Sequence, residues 1–302
     1  MKRAEGRPVI VEFAVPSAKA GPYSLAAGPD GALWFTEIHA GRIGRIAPDG
    51  EVSEFSLPTP HAGPSVIAAG SDGALWFTEL RVNRIGRIAP DGEVDEFSLP
   101  TANAGPFGIA AGPDGALWFT ELLANRIGRI GHSGKVREFS LPAACSMPSM
   151  IAAGADGALW FTENQGNRIG RITVDGELTE YDLPGQGAGP VGIAAGPDAA
   201  LWFVEISGNQ IGRIDGRGAI TEYPLPTPGA RPHAIAAAGD ALWFTQWAAG
   251  SIGRIDRDGQ VAEFRLPRPH AGPHGIAVAR DGSIWFAEEA DRIGRLVPAA
   301  LE

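Results

Sequence analysis

Residues 74–99 read Ala74-Leu75-Trp76-Phe77-Thr78-Glu79, Leu80-Arg81-Val82-Asn83, Arg84-Ile85-Gly86-Arg87-Ile88, Ala89-Pro90-Asp91-Gly92, Glu93-Val94-Asp95-Glu96-Phe97-Ser98-Leu99. Polar and apolar residues alternate through Arg84–Ile88 and again through Glu93–Leu99, the period of a half-buried strand. Asp91-Gly92 sits between them, and Asp-Gly between alternating runs is the strongest short-range hairpin signal. Upstream, the apolar run Ser65-Val66-Ile67-Ala68-Ala69 is separated from Ala74–Glu79 only by Gly70-Ser71-Asp72-Gly73. The stretch therefore predicts four short strands in succession, A to D.

The same unit recurs along the chain. Its marker tryptophans are Trp34, Trp76, Trp118, Trp160, Trp202, Trp243 and Trp285, with steps of 42, 42, 42, 42, 41 and 42 residues. A period of this length fits a propeller blade or a helix pair. With 42 glycines and 25 prolines, punctuation falls too often for long helices. The fold class expected is all-β: a seven-bladed β-propeller with four antiparallel strands per blade, filling 1–302 as one domain.

Closure is also legible. The chain ends on Arg292-Ile293-Gly294-Arg295-Leu296, a C strand with no D strand after it. Val9-Ile10-Val11-Glu12-Phe13-Ala14-Val15-Pro16 matches the D strand Glu51-Val52-Ser53-Glu54-Phe55-Ser56-Leu57-Pro58. Residues 9–16 are thus expected to form the outer strand of the last blade, hiding two sheet edges. Residues 299–302 read as a tail, with Leu301-Glu302 a vector-derived remnant.

Composition excludes some partners. The 25 basic and 35 acidic residues leave a formal charge of −10. That argues against nucleic acid, which favours a basic stripe, and against anionic membrane. Cys145 is the sole cysteine, so no intrachain disulfide is possible. This suits a reducing compartment. The opening MKRAEGRPVIVEF lacks the features of a signal peptide, and no run reaches a membrane span. A cytoplasmic monomer is expected.

Seven copies of one unit can be compared with one another. Matching positions mark scaffold; variable positions inside a fixed frame can carry function. In a propeller the A strands line the channel, and the D-to-A and B-to-C connections share one rim. Two variable positions meet at that mouth. The first follows the A-strand proline and reads Tyr23, Ser65, Phe107, Ser149, Val191, His233, His274. The second closes strand B and reads Ile38, Leu80, Leu122, Asn164, Ile206, Trp247, Glu289. Blades six, seven and one adjoin in a closed ring. They group His233, His274, Tyr23, Trp247 and Glu289, opposite a mostly apolar arc. An apolar lining with a few convergent polar groups is the make-up of a small-molecule pocket.

Other candidates are weaker. His132 falls in a C-to-D turn on the opposite face, and His39, His61 and His270 fall in top-face loops. Cys145 has no histidine at matching places, so nucleophilic catalysis is not expected. Glu37, Glu79, Glu121, Glu163, Glu205 and Glu288 recur, with Gln246 in blade six, and recurrence points to a structural role such as accepting hydrogen bonds.

The chain resembles the streptogramin B lyases, also called virginiamycin B lyases, over nearly its whole length. Leu-Trp-Phe-Thr-Glu and Asn-Arg-Ile-Gly-Arg-Ile carry the general likeness. Ala230-Arg231-Pro232-His233-Ala234-Ile235, Pro273-His274-Gly275-Ile276 and Ile284-Trp285-Phe286-Ala287-Glu288-Glu289 carry the specific part. The resemblance implies a carbon–oxygen lyase that linearises cyclic depsipeptide antibiotics by elimination, with Mg²⁺. It implies His274 as general acid/base, Glu289 as metal ligand, and His233 and Tyr23 as substrate contacts. Phe107 and Trp247 suit the aromatic groups of a cyclic peptide. Where the family places a second metal-binding glutamate this chain has Gly272, which implies weaker magnesium binding. Strand alternation turns Glu288 away from Glu289. Two other readings stay open at this point: a non-catalytic binding propeller, and an enzyme acting on another lactone.

Overall fold

In the computed structural model, which describes residues 8–268 and 270–298, strands alternate with tight turns from end to end. The tail expected at 299–302 lies outside the described residues. Twenty-eight strands, numbered in chain order, form seven antiparallel four-stranded sheets among the described residues. Blade one is typical: β2 (Pro22–Ala27), β3 (Leu33–Glu37), β4 (Arg42–Ile46) and β5 (Val52–Ser56) pair in sequence order. The seven-bladed β-propeller expected from the repeat is the fold observed.

The last sheet has the order β1-β28-β27-β26, joining β1 (Val9–Ala14) to β28 (Arg292–Val297), β27 (Ile284–Glu288) and β26 (Pro273–Val278). The register runs Val9 opposite Val297 to Ala14 opposite Arg292. The N-terminal strand stops at Ala14, two residues short of the expected 9–16, and Val15 N–H instead donates to the Asp291 carbonyl at 3.0 Å. Phe13 stacks on Trp285 at 5.5 Å, as Phe55 of β5 stacks on Trp34 at 5.4 Å. The borrowed strand thus brings both the backbone ladder and the aromatic partner of a true D strand.

The core lies between blades. Each motif tryptophan is at most 5% exposed, packed among Ile, Leu and Phe of its own and the next sheet. In blade one Asp30 accepts from Trp34 Nε1 at 3.2 Å and from Arg45 Nε at 2.6 Å, so the buried indole N–H is satisfied. Loops tie neighbouring blades together. Asn83 donates to the Thr101 carbonyl at 2.8 Å and accepts from Ala104 N–H at 2.7 Å. At the seam between blades seven and one, Asp291 takes two donors, Lys19 N–H at 2.6 Å and Gly21 N–H at 3.1 Å. A carboxylate suits that seam because both partners there are N–H groups.

One irregularity recurs where it matters. In all seven A–B strand pairs the register shifts between the opening proline and the residue three places on. The residue after the proline therefore leaves the regular ladder. A bulge re-aims a side chain, and here it frees Tyr23, Phe107, His233 and His274 from the alternation of the sheet.

Candidate functional site

His274 lies second in β26, inside the bulge between Pro273 and Ile276. Its carbonyl accepts from Thr245 Oγ1, in the B strand of blade six, at 2.7 Å. Gly275 follows, and a β-carbon there would stand 2.6 Å from the Tyr23 carbonyl oxygen. The glycine lets the A strands of blades seven and one approach, which brings Tyr23 beside His274.

The side chains converge as the ring order predicts. Tyr23 and His274 rings lie 4.8 Å apart, His233 and His274 rings 4.7 Å, and Tyr23 and His233 rings 5.7 Å. Tyr23 Oη is 3.4 Å from His233 Nε2. Trp247 lies 6.3 Å from His274, and Phe107 lies 6.1 Å from Tyr23 across the channel. Glu289 closes the cluster: its Oε1 is 2.7 Å from His274 Nε2. The six residues singled out from the repeats thus form one group. Ser65, Ser149 and Val191, at the same ring position, are buried instead.

Charge in this group is set by burial. Desolvation, with His274 next door, pushes His233 down to about 3, so its ring is neutral. Burial also lowers His274, against the opposing pull of the Glu289 carboxylate. Tyr23 is pushed far above the ordinary phenol range, first by burial and then by the Glu289 charge, so its hydroxyl stays a donor. The contact with Glu289 demands a hydrogen on His274 Nε2, while His274 Nδ1 and His233 Nδ1 are buried without partners.

Glu288 and Glu289 diverge as strand alternation requires. Glu288 is fully buried, whereas the Glu289 side chain is 52% exposed. Gly272 adopts φ +58°, and a β-carbon there would lie 2.9 Å from Glu289 Oε2. A side chain at 272 would therefore reach the Glu289 carboxylate. Among the described residues no three His, Cys, Asp or Glu side chains form a metal cage. Glu289 is the carboxylate that contacts the His274 cluster. It fits a magnesium ion that keeps most of its waters, since this cation is commonly held through one or two carboxylates plus substrate oxygens.

The remaining histidines stay apart from this group. His132 contacts Ser71 at 3.3 Å and the Trp76 ring at 6.1 Å, on the opposite face. Among the recurring glutamates, Glu205 accepts from Gln210 Nε2 at 2.6 Å as expected, whereas three others differ. Both carboxylate oxygens of Glu37, Glu79 and Glu121 are buried with no donor in reach, so they do not accept hydrogen bonds. Each instead faces a second carboxylate, Glu54, Glu96 or Glu138, and burial with that neighbour pushes each up to about 8. The pairing was invisible in the repeat because the partner sits on another strand. Arg231 is the mouth residue that comparison of repeats left unassigned. Its signal is present: the position before each A-strand proline is glycine in five blades, Met147 in one and Arg231 in another.

Comparison with known proteins agrees with this architecture. The chain matches the virginiamycin B lyase family model over residues 8–296. It is similar to the crystal structure of selenomethionine-substituted virginiamycin B lyase from Staphylococcus aureus, with 48% identity, a TM-score of 0.93, and 96% and 99% of the two chains covered. It is likewise similar to a catalytically inactive histidine-to-alanine variant of the S. aureus lyase with quinupristin, at 46% identity, TM-score 0.93 and the same coverage. Among curated sequences it is 57% identical to a virginiamycin B lyase from Saccharopolyspora erythraea, over 44 residues that span 15% of each chain. The chain belongs to the virginiamycin B lyase family.

Proposed function

We propose that this protein is a carbon–oxygen lyase that linearises cyclic depsipeptide antibiotics of the streptogramin B type. The observation that carries the reading is the His274–Glu289 contact of 2.7 Å at a channel mouth shared with a neutral His233 and Tyr23. A lyase needs a base that can reach a carbon-bound proton, and a buried, uncharged imidazole at a pocket mouth supplies one. Quinupristin, named with the S. aureus relative, is the natural first substrate to offer.

In this mechanism His274 removes the α-proton of the residue whose side-chain oxygen carries the ester. Nε2, the ring nitrogen that faces Glu289, serves as base in the tautomer that carries its hydrogen on the buried Nδ1, with the Glu289 contact broken. The C–H electron pair becomes a carbon–carbon double bond, the Cβ–O bond breaks, and its pair leaves on the ester oxygen as a carboxylate. His233, neutral beside His274, adds no competing positive charge. Tyr23 keeps its hydroxyl hydrogen and can donate to an oxygen that gains charge. Phe107 and Trp247 offer apolar faces to the aromatic groups of the peptide. Glu289 would hold magnesium, which when bound supplies a Lewis acid. The protein is taken to act as a cytoplasmic monomer on a small molecule, with neither nucleic acid nor membrane as partner.

Incubation with quinupristin, with Mg²⁺ and then with EDTA, tests the reading by liquid chromatography and mass spectrometry. A linear product of unchanged mass supports elimination. A product heavier by one water overturns it in favour of hydrolysis, and no product overturns the assigned substrate.

A further inference from the structure

The residues just before the A-strand prolines are Gly21, Gly63, Gly105, Met147, Gly189, Arg231 and Gly272, all with φ between +50° and +65°. This left-handed backbone disfavours any residue with a β-carbon. Arg231 adopts it nonetheless, at φ +52°. A β-carbon at this ring position faces the start of the B-to-C connection of its own blade: Glu289 from Gly272, His39 from Gly21, Leu123 from Gly105 and Ser207 from Gly189. In blade six that connection opens with Trp247. The Arg231 guanidinium lies 5.8 Å from the Trp247 ring centroid, and the Arg231 carbonyl accepts Trp247 N–H at 3.1 Å. Trp247 in turn neighbours His274. Arg231 is exposed and has no carboxylate partner among the described residues, whereas Arg42, Arg84, Arg126 and Arg168 on the C strands are all paired. The mouth thus carries a fixed positive charge on an aromatic platform, one ring away from the base.

We propose that Arg231 binds the carboxylate that departs when the ester C–O bond breaks, a role that rests on the lyase reading above. The substrate ester is neutral; elimination moves the α-proton to His274 and leaves a full negative charge on a two-oxygen group. A guanidinium matches such a group with two parallel N–H donors. A charge held in place before the bond breaks favours the transition state over the ground state. Stacking on Trp247 keeps the guanidinium at the mouth without neutralising it, which an ion pair would do.

The test compares the wild-type protein with Arg231→Gln and Arg231→Lys. The probes are cyclic quinupristin, its linear product as the free acid, and that product with the new carboxylate converted to an amide. Calorimetry should show wild type binding the acid about tenfold or more tighter than the amide, as expected for a charge-assisted bond. Arg231→Gln should bind acid and amide alike and lose about tenfold or more in kcat with KM within about twofold; Arg231→Lys should retain part of both. An acid preference that survives in Arg231→Gln, or an unchanged kcat, overturns the role. Wild type that linearises quinupristin yet binds acid and amide equally defeats only the role of Arg231. Wild type that neither turns over quinupristin nor binds the acid defeats the lyase reading itself.

Discussion

Thr245 Oγ1 donates to the carbonyl oxygen of His274 at 2.7 Å, pinning this residue of blade seven to the B strand of blade six. The same tie recurs elsewhere, as Thr36 to the Ser65 carbonyl at 2.8 Å. In blades five and seven the hydroxyl is replaced by Val204 and Ala287, so the carbonyls of His233 and Tyr23 have no such donor. Of the three converging residues, His274 alone is fixed in this way. Thr245→Val should therefore fold, since Val204 occupies the equivalent place. It should lower kcat toward quinupristin by about tenfold, in line with the sensitivity of proton transfer to small displacements. Steady-state kinetics beside a melting curve separates this from a loss of stability.

Gly272→Glu should strengthen magnesium binding. Arg231 and Met147 show that the left-handed backbone of this ring position accepts side chains. A β-carbon at 272 points at Glu289 Oε2 from 2.9 Å, and the flexible carboxylate end can yield. A second charged oxygen ligand should raise affinity by about tenfold or more in calorimetric titration with Mg²⁺. Gly272→Ala, which adds only the β-carbon, should not.

Paired buried carboxyls should make the protein lose stability as pH rises. Glu37, Glu79 and Glu121 are pushed up to about 8, Glu205 and Glu288 to about 7, and Glu163 to about 6, all chiefly by burial. From the ordinary value of 4.5 up to about 8, the folded chain binds more protons than the unfolded chain. Their contribution is therefore complete below pH 4.5 and is lost as pH climbs through about 8. Blade six already carries the neutral counterpart: Gln246 Nε2 donates to Glu263 Oε1 at 2.7 Å. Glu79→Gln should accordingly gain melting temperature relative to wild type at pH 9, with a smaller gap at pH 5.5. An equal gap at both values would refute a shared proton.

Phe13→Ala should loosen the ring at one seam. Phe13 stacks on Trp285 and packs against Gly50 of blade one, where a β-carbon would meet its ring at 2.3 Å. Losing a half-buried aromatic there should cost about 2–4 kcal/mol, near the low end for core phenylalanine truncations. Hydrogen exchange should rise first across β1 and β28, with the other blades protected.

The architecture is legible in local patterns of the chain. Seven tryptophans at a near-constant step, Asp-Gly turns between alternating runs, and a D-strand copy at Val9–Pro16 specify blades and closure, because strand period and turn chemistry are local properties. The sequence also nominated the mouth residues, since ring closure makes blades six, seven and one neighbours. What those residues do to one another emerges from the packed ring. The His274–Glu289 contact, the loss of charge from His233, and the carboxyl pairs such as Glu79 with Glu96 all join residues on different strands. Their chemistry depends on distance and on exclusion of water, and neither is written in one blade. Arg231 illustrates the boundary: its place in the repeat was visible as a departure from glycine. Its meaning required the Trp247 ring beneath it, the Glu289 end seen from Gly272, and the absence of a carboxylate partner among the described residues.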